Sequence, residues 1–300
     1  MQAGERVGVI GLGNIGGAVA ANLVADGHSV LAYDLDAKRV QGIVGLGARA
    51  AATAGQVGER CAVTFLSLPT PTAMEQVTEE WLAGAAPGAI LVDLTTNAPA
   101  VVQRVGERVI SAGRHLLECP LTGGAPGAQA RMLVFMVGGD PEIYERVRPL
   151  LARLGRASFH VGGLGLGNVA KLVNSLIAFQ ATWGSLEVLA VSTKVGIELR
   201  TMIDVIRAGG AGNIFTERMV EGINQRNRPT QFALGLAAKD AGLFVDLARQ
   251  AGVPVPVSAQ IAQTLVAAVG AGMAERDFTD LVELAERAAG VKLALSPPRS

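Results

Sequence analysis

A glycine-rich turn near the amino terminus restricts the folds open to this chain more than any other feature. The turn follows the apolar run VGVI, opens a second apolar segment and has the pattern GxGxxG: Gly11, Leu12, Gly13, Asn14, Ile15 and Gly16. In this pattern the first glycine permits a tight turn, the second lets a pyrophosphate approach the backbone, and the third lets a helix pack closely on a strand. The N–H groups at the start of that helix then face the phosphate charge. The pattern in this setting predicts a strand–turn–helix unit that binds a dinucleotide.

A carboxylate at the end of the next strand bears on which dinucleotide binds. Asp34 lies 18 residues after Gly16, close to the separation of about 20 that accompanies this motif. It can accept hydrogen bonds from both hydroxyls of an adenosine ribose, and together with Asp36 it repels a 2′-phosphate. We therefore expect NAD, with NADP as the alternative because Lys38 and Arg39 can reach a phosphate. The alternative interpretation is that no dinucleotide binds, and that the same residues form a glycine turn and an aspartate that caps a helix.

The order of apolar runs and helical patterns predicts two different halves. In the first half, strand-like runs alternate with helical patterns; the runs are 6–10, 29–33, 62–68 and 89–93. This alternation predicts an α/β domain with a doubly wound, Rossmann-type parallel sheet. After residue 162 only helical patterns follow, and the first extends over 168–194. We expect a dinucleotide-binding domain over residues 1–162 and an all-α domain, built on a long interdomain helix, over 163–300.

Composition excludes several classes of function. Lys+Arg and Asp+Glu both total 26, so no basic excess exists to release counterions from a nucleic acid. The three histidines match no metal-ligand spacing, and we predict no protein-built metal site. Two cysteines without CxxC spacing indicate a reducing compartment, and hence the cytoplasm. The uncharged stretches 7–25 and 250–274 contain polar residues, glycine or proline, and we expect neither to span a membrane.

Two further segments follow apolar strands, at the positions where ligands of an open α/β sheet bind. They are SLPT at 67–70 and DLTT at 93–96. We take Leu68, Pro69 and Thr96 as candidate cofactor contacts. Turn chemistry with proline and threonine caps explains either segment alone equally well.

An ordered series of motifs resembles the β-hydroxyacid dehydrogenase family. The motifs are GLGNIG at 11–16, DLTT at 93–96, CPLTGGAPGA at 119–128, MVGG at 136–139, GLGNVAKLVN at 165–174 and the pair KD at 239–240. The resemblance extends over about residues 5–290. This family includes 3-hydroxyisobutyrate dehydrogenase, tartronate semialdehyde reductase and related semialdehyde reductases. Its fold is a Rossmann domain followed by a helical domain, which agrees with the order of elements above.

The resemblance implies a set of substrate contacts. Thr122, Gly123 and Gly124 would hold a small carboxylate through one hydroxyl and backbone N–H groups. The family usually has serine where Thr122 stands, and the added methyl narrows the pocket. Ser175 would also contact the substrate, at a position where a second asparagine is frequent. The family commonly has Gly-Thr where this chain has Arg-Met at 131–132, and Arg131 is either a solvated surface residue or a charge for a second anionic group.

The resemblance also implies a catalytic lysine. Lys171 would be the acid/base, because desolvation in a cleft and a nearby cationic nicotinamide let a lysine take up or return a hydroxyl proton. Asn174 lies one helical turn later and would hydrogen-bond the substrate or orient Lys171. Lys239 would lie over the cofactor. Without the motifs, Lys171 is a surface lysine of an amphipathic helix, and Lys239 forms a solvated pair with Asp240.

Together these patterns predict an NAD(P)-dependent oxidoreductase. It would transfer hydride between the β-carbon hydroxyl of a small 3-hydroxy acid and nicotinamide, giving or consuming a semialdehyde. We expect a homodimer or homotetramer, because the apolar helices of the second half can bury more surface than one small domain provides. The alternatives are an imine reductase-like enzyme, which Lys171 disfavours, and a catalytically silent dinucleotide-binding protein on the same fold. A 6-phosphogluconate dehydrogenase is disfavoured by Val173, which stands where that enzyme has histidine.

Overall fold

The computed structural model describes residues 6–226 and 228–295 of the chain. It contains two compact units, Met1–Lys171 and Leu172–Ser300, and the division between them falls inside a long helix. The first unit is an α/β structure and the second is helical, which confirms the predicted fold class. The domain boundary after residue 162 stays a prediction.

Nine strands form one sheet among the described residues. They are β1 (Arg6–Ile10), β2 (Ser29–Tyr33), β3 (Arg49–Ala50), β4 (Val63–Leu66), β5 (Ile90–Asp93), β6 (His115–Glu118), β7 (Leu121–Thr122), β8 (Leu133–Gly139) and β9 (Gly155–Gly162). Their spatial order is β3-β2-β1-β4-β5-β6-β8-β7, and β9 pairs with β8. Every neighbouring pair from β3 to β6 is parallel, so the carboxyl ends of these strands share one edge. Ligands of open α/β sheets bind beyond that edge.

The last four strands were not predicted from the sequence patterns. β8 runs antiparallel to both β6 and β7, whereas β9 runs parallel to β8. The chain therefore turns back between β7 and β8 instead of crossing over a face of the sheet. The candidate substrate loop is the segment that makes this reversal.

Helices cover both faces of the sheet, as expected for strands with few polar residues. They are α1 (Asn14–Ala25), α2 (Ala37–Val44), α3 (Ala54–Arg60), α4 (Pro71–Gly84), α5 (Pro99–Ser111), α6 (Gly124–Gln129) and α7 (Pro141–Leu154). Along β4, Val63 and Phe65 join a core shared with α1 and α7, while Leu66 joins a core shared with α3, α4 and α5. Each such fully buried side chain contributes about 1.5–3 kcal/mol. The two cores fix the strand ends that carry the candidate site.

The second unit is built from helices around its own core. The helices are α8 (Leu166–Lys194, which begins in the first unit), α9 (Leu199–Ala208), α10 (Ile214–Asn224), α11 (Leu234–Gln250), α12 (Pro256–Ala268) and α13 (Leu281–Ala289). Phe179, Phe232 and Phe278 pack against one another here with ring centroids 5.0–6.1 Å apart, and the rings of Phe179 and Phe232 are stacked. α12 is followed by a π-helical turn, Val269–Met273, in which Gly272 has φ of 81°. None of the described helices combines the length and apolar character needed to cross a membrane.

Candidate functional site

The glycine turn leaves space in front of the first helix. A Cβ on Gly11 would lie 2.1 Å from the carbonyl oxygen of Ser67, and one on Gly16 would lie 1.8 Å from the carbonyl oxygen of Gly11. These two positions therefore accept only glycine. In contrast, a Cβ on Gly13 would have only Arg39 Nη1 nearby, at 3.9 Å. Gly13 precedes α1, which has neither a side-chain cap nor an acidic residue in its first turn. Such a helix start fits the pyrophosphate of a dinucleotide.

Asp34 lies beside this turn in a fixed orientation. Its Oδ2 accepts a hydrogen bond from the N–H of Leu12 at 2.6 Å, and its Oδ1 accepts one from the N–H of Asp36 at 2.8 Å. The side chain is 11% exposed, and Arg39 Nη1 lies 3.7 Å from Oδ2. Because each carboxylate oxygen can accept a further hydrogen bond, Asp34 retains the capacity to hold two ribose hydroxyls.

The ends of β4 and β5 are joined by side-chain hydrogen bonds. The N–H of Leu68 donates to Thr95 Oγ1 at 3.1 Å, and the N–H of Thr95 donates to Asp93 Oδ1 at 3.0 Å. Pro69, the next residue after Leu68, is exposed, and Thr96 is partly buried. The structure thus brings the two predicted strand-end segments together at the edge that carries the glycine turn.

The candidate substrate loop follows β6. Thr122 ends β7 and pairs with Val134 of β8. Gly123 has φ of 122° and Gly124 has φ of 62°, which are conformations that side chains rarely adopt. All three residues are partly buried, so the segment is fixed by its backbone yet remains open to small molecules.

A buried carboxylate fastens this loop to the long helix. Glu118 is fully buried at the end of β6, and its oxygens accept four hydrogen bonds from the start of α8. The donors are the backbone N–H groups of Gly165, Gly167 and Asn168, and Asn168 Nδ2 at 2.6 Å. A negative charge at a helix N-terminus is favourable, and these N–H groups have no partner within the helix. Glu118 therefore sets where α8 begins.

Two glycines make room for this carboxylate. A Cβ on Gly138 would lie 2.2 Å from Glu118 Oε1, and one on Gly167 would lie 3.0 Å from Glu118 Cδ. Gly138 belongs to the motif MVGG and Gly167 to the motif GLGN.

A second buried acid continues the network to the cofactor side. Asp93 lies opposite Glu118 in the sheet, and its Oδ2 accepts a hydrogen bond from Asn97 Nδ2 at 3.1 Å. The N–H of Asn97 donates in turn to Asn168 Oδ1 at 2.7 Å. Burial raises the pKa of Asp93 to about 7; the hydrogen bonds from Thr95 lower it, and the charge of Glu118 raises it further. Burial also raises the pKa of Glu118, although its hydrogen bonds to Asn168, Gly167 and Gly165 oppose this shift.

The predicted catalytic residues lie in the second and third turns of α8. Lys171 is partly buried and is the last residue of the first unit; Asn174 is partly buried and Ser175 is buried, and both belong to the second unit. Because Lys171 follows Asn168 by three residues, its position depends directly on the contact between Asn168 and Glu118.

The predicted residue Lys239 lies in the second unit, on α11. Its Nζ is 3.1 Å from Oδ1 of the buried Asp240. The segment before α11 is fixed by the buried Asp277, which accepts hydrogen bonds from the N–H groups of Gln231 and Phe232 and from Arg228. Burial raises the pKa of Asp277, but hydrogen bonds from Thr279, Arg228 and Gln231 outweigh it and hold the value at about 2.

Several residues of this site were missed by sequence reasoning. Glu118, Asp93, Asn97 and Asn168 carry the network. Asp93 and Asn168 lie within the motifs DLTT and GLGN, and Glu118 is a charged residue that ends an apolar run, but none of these patterns indicated the network. Arg131, for which two interpretations remained, has a side chain that is 36% exposed and is paired: its Nη1 donates to both carboxylate oxygens of Asp26 at 2.8 Å. Among the residues that the structure describes, no group of three or more His, Cys, Asp and Glu is placed to hold a metal ion.

Comparisons with known proteins agree with this geometry. Residues 6–163 match the family model described as the NAD-binding domain of 6-phosphogluconate dehydrogenase, and residues 165–285 match the model described as the NAD-binding domain of NADP-dependent 3-hydroxyisobutyrate dehydrogenase. The chain is 28% identical to 2-(hydroxymethyl)glutarate dehydrogenase of Eubacterium barkeri over 298 residues, which cover 98% of this chain and 99% of that protein. It is 31% identical to NAD-dependent L-serine dehydrogenase of Pseudomonas aeruginosa over 290 residues, 93% and 97% of the two chains.

A solved structure is also similar over nearly the whole chain. It is 3-hydroxyisobutyrate dehydrogenase of Mycobacterium tuberculosis with L-serine, and its TM-score to this chain is 0.87 at 27% identity. The match covers 94% of this chain and 99% of that one.

Replacement of each buried acid by its amide tests the network, and the expected change in stability differs between Asp93 and Glu118. The pKa of Asp93 lies above its ordinary value of 3.8, so its contribution to stability is complete below pH 3.8 and is lost as the pH rises through 7. In Asp93→Asn the new amide can donate to Asn97 Oδ1, which has no partner, once the Asn97 amide is flipped. We expect the stability of this variant relative to wild type to rise by about 2 kcal/mol between pH 5 and pH 8.

Glu118→Gln is the matched contrast. Its new amide would face the N–H donors of Asn168, so the free energy of unfolding should fall by about 2–4 kcal/mol. Urea unfolding of both variants at pH 5 and pH 8 measures these changes. If Asp93→Asn destabilised the protein equally at both pH values, Asp93 would have to be ionised in the folded protein.

Proposed function

Because this chain belongs to the β-hydroxyacid dehydrogenase family and is an NAD(P)-dependent oxidoreductase of hydroxy acids, we propose that it oxidises the β-carbon hydroxyl of a small 3-hydroxy acid, or reduces the corresponding semialdehyde. The observation that carries this proposal is the Glu118 network. One carboxylate joins the strand that leads into Thr122 to the helix turn that leads into Lys171. The substrate loop and the acid/base lysine are thereby built on one rigid support.

The names of the relatives narrow the substrate class. 2-(Hydroxymethyl)glutarate, L-serine and 3-hydroxyisobutyrate share the unit HO–CH₂–CH–COO⁻ and differ only in the substituent on the α-carbon. We propose that Thr122, Gly123 and Gly124 hold the shared carboxylate, and that Ser175 lies against the substrate. Arg131 is bound by Asp26 and does not serve a second carboxylate.

The reaction requires the transfer of a proton and a hydride from the same alcohol. The nicotinamide, when bound, supplies the acceptor for the hydride of the β-carbon. In the oxidative direction the neutral amine of Lys171 takes the hydroxyl proton; in the reductive direction its ammonium returns it. Asn174, one turn further along α8, hydrogen-bonds the substrate oxygen or the lysine. Contacts to the substrate carboxylate also fix the position of the β-carbon, because the β-carbon is bonded directly to the α-carbon that carries the carboxylate.

Replacement of Lys171 tests this assignment. Wild-type protein is expected to reduce NAD with at least one acid of the shared unit, and a 2-hydroxy acid such as lactate serves as the negative control. Lys171→Ala should lower kcat by a factor of about 10²–10⁴ and leave NAD binding nearly unchanged. Reduced-cofactor absorbance and calorimetric titration with NAD measure the two effects.

Lys194→Ala is the control, because Lys194 is an exposed lysine at the other end of the same helix. It should keep full activity. An equal loss of NAD binding and turnover in Lys171→Ala would mark Lys171 as structural and contradict its role as acid/base.

We further propose that the cofactor is NAD rather than NADP. Asp34 would accept both ribose hydroxyls, and Asp34 and Asp36 together would repel a 2′-phosphate. Arg39 favours the alternative, but it lies 3.7 Å from Asp34 and 3.6 Å from Asp36, so these two carboxylates already offset its charge.

Variants of Asp34 and Arg39 separate the effects of these two charges on the choice of cofactor. Asp34→Asn should lower kcat/KM with NAD by about 10–100-fold, because hydrogen bonds to a charged group are lost, and should change kcat/KM with NADP far less. Arg39→Ala should leave NAD turnover within about two-fold of wild type, since the residue is exposed and engaged with carboxylates. Steady-state kinetics with both cofactors provide the measurement. A wild-type preference for NADP would overturn the choice of NAD.

We propose a cytoplasmic homodimer or homotetramer. The support is a set of exposed valines of the second unit: Val188 and Val191 on α8, Val195 just after it, and Val257 and Val266 on α12. Val188 and Val191 follow helical spacing and so share one face. An apolar face of this kind is typical of a surface that another subunit covers.

Light scattering tests this assembly. Wild-type protein should have two or four times the mass of the 30.8 kDa chain, and Val191→Glu should shift it towards the monomer because a charge would enter the interface. Val253→Glu, a valine exposed in the loop after α11, should have no effect. A monomeric wild type would refute the assembly.

A further inference from the structure

Arg131 has an unusual backbone conformation just after the substrate loop. Its φ is 59°, and it is the one non-glycine residue with positive φ among those that the structure describes. A side chain in this left-handed region is disfavoured, and residues of this kind persist where the surrounding structure holds them in place. The contacts of the Arg131 side chain are therefore of interest.

These contacts are made with the end of α1. Nη1 donates to both carboxylate oxygens of Asp26 at 2.8 Å, and Nη2 donates to the carbonyl oxygen of Asn22 at 3.3 Å. The Asp26 side chain is only 12% exposed, so solvent screens the pair less than a surface pair. A second link runs in the opposite direction, because Asn22 Nδ2 donates to the carbonyl oxygen of Ala128 in α6 at 2.8 Å. We call Arg131, Asp26 and Asn22 the α1–α6 clamp.

The clamp joins the two halves of the site within the first unit. α1 begins at the glycine turn and ends at Asp26. α6 begins at the substrate glycines and ends next to Arg131. Each helix thus carries a candidate binding segment at its start and a clamp residue at or near its end.

α6 needs such a contact more than α1 does. It has six residues and no side-chain cap at its start, and helices this short are not stable on their own. α1 has twelve residues, and Val19, Ala20 and Leu23 are fully buried in the core of the sheet. Loss of the clamp would release α6 while α1 stayed in place.

We propose that Arg131 is a positioning residue for the reaction: through Asp26 and Asn22 it holds the substrate segment in register with the dinucleotide turn. This inference rests on the proposed function for the role of Thr122, Gly123 and Gly124. Arg131 itself contacts neither substrate nor cofactor. Its effect is on the affinity for the hydroxy acid, and the site for NAD does not depend on it.

Arg131→Gly is the central test, because glycine adopts positive φ without strain and the fold should be retained. We expect KM for the hydroxy acid to rise about ten-fold, since the charge-assisted hydrogen bonds from Nη1 to both oxygens of Asp26 are lost. The Kd for NAD and the thermal midpoint should stay at or near wild-type values. Arg131→Lys keeps the charge but not the fork, and it should restore part of the loss in KM.

Two further variants separate the clamp from other effects. Asp26→Asn leaves residue 131 unchanged, should raise KM as Arg131→Gly does, and should add nothing in the double variant. Arg153→Ala is the matched control: Arg153 also lies 4.0 Å from Asp26 but belongs to α7, so its loss should leave KM unchanged.

Hydrogen exchange of the backbone amides over 124–132 provides a readout without substrate. Exchange should be faster in both Arg131→Gly and Asp26→Asn, and unchanged in Arg153→Ala. If no hydroxy acid were turned over by wild type, the proposed function would fail while exchange still tested the clamp. Unchanged exchange, unchanged KM, or equal losses of NAD and acid affinity would overturn the positioning role.

Discussion

The carboxylate of Glu118 holds the first turn of α8 against the carboxyl edge of the sheet, and the rest of the site is built around this contact. A buried carboxylate without partners would be unfavourable by several kcal/mol, so the four N–H donors of α8 must meet it. The helix consequently has a single register on the strand. This register fixes the position of Lys171, which follows Asn168 by three residues in α8. Thr122 follows Glu118 by four residues on the strand side of the same contact.

The same contact extends to the cofactor side through amide and carboxylate groups. Asn168 bonds both Glu118 and the backbone of Asn97, Asn97 bonds Asp93, and Asp93 bonds the Thr95 backbone. The Thr95 hydroxyl then reaches the strand end beside the glycine turn. Most of these groups are buried, so each lost partner would leave a polar atom without solvent to replace it. Such networks favour one arrangement of the loops over many similar ones.

The parts of the fold that depend on local patterns were predictable from the sequence. β1, β2 and the glycine turn have apolar and glycine spacings that specify them within a few residues, and α8 has a long uninterrupted helical pattern. The network was not predictable, because Glu118 meets partners 47–50 residues away. Arg131 and Asp26 are 105 residues apart, and nothing near either residue indicates the other.

The same distinction between local patterns and long-range contacts applies to the candidate site. Motif resemblance predicted a substrate loop and a role for Lys171, yet it gave no physical reason for their geometry. That reason lies in groups to which the motifs gave no role, such as Asp93 within DLTT and Asn97 just after it. Among the strands that were missed, β7 has only two residues and gains its order from pairing with β8.

The space around Glu118 has a consequence for sequence variation. Gly138 lies in β8 and Gly167 in α8, and each leaves room both for the Glu118 carboxylate and for a neighbouring backbone carbonyl oxygen. A Cβ on Gly138 would lie 2.8 Å from the carbonyl oxygen of Gly163, and one on Gly167 would lie 2.7 Å from that of Met136, so a shorter side chain at position 118 does not admit a larger residue at either position. In a set of functional variants, positions 138 and 167 should therefore remain glycine even where position 118 changes.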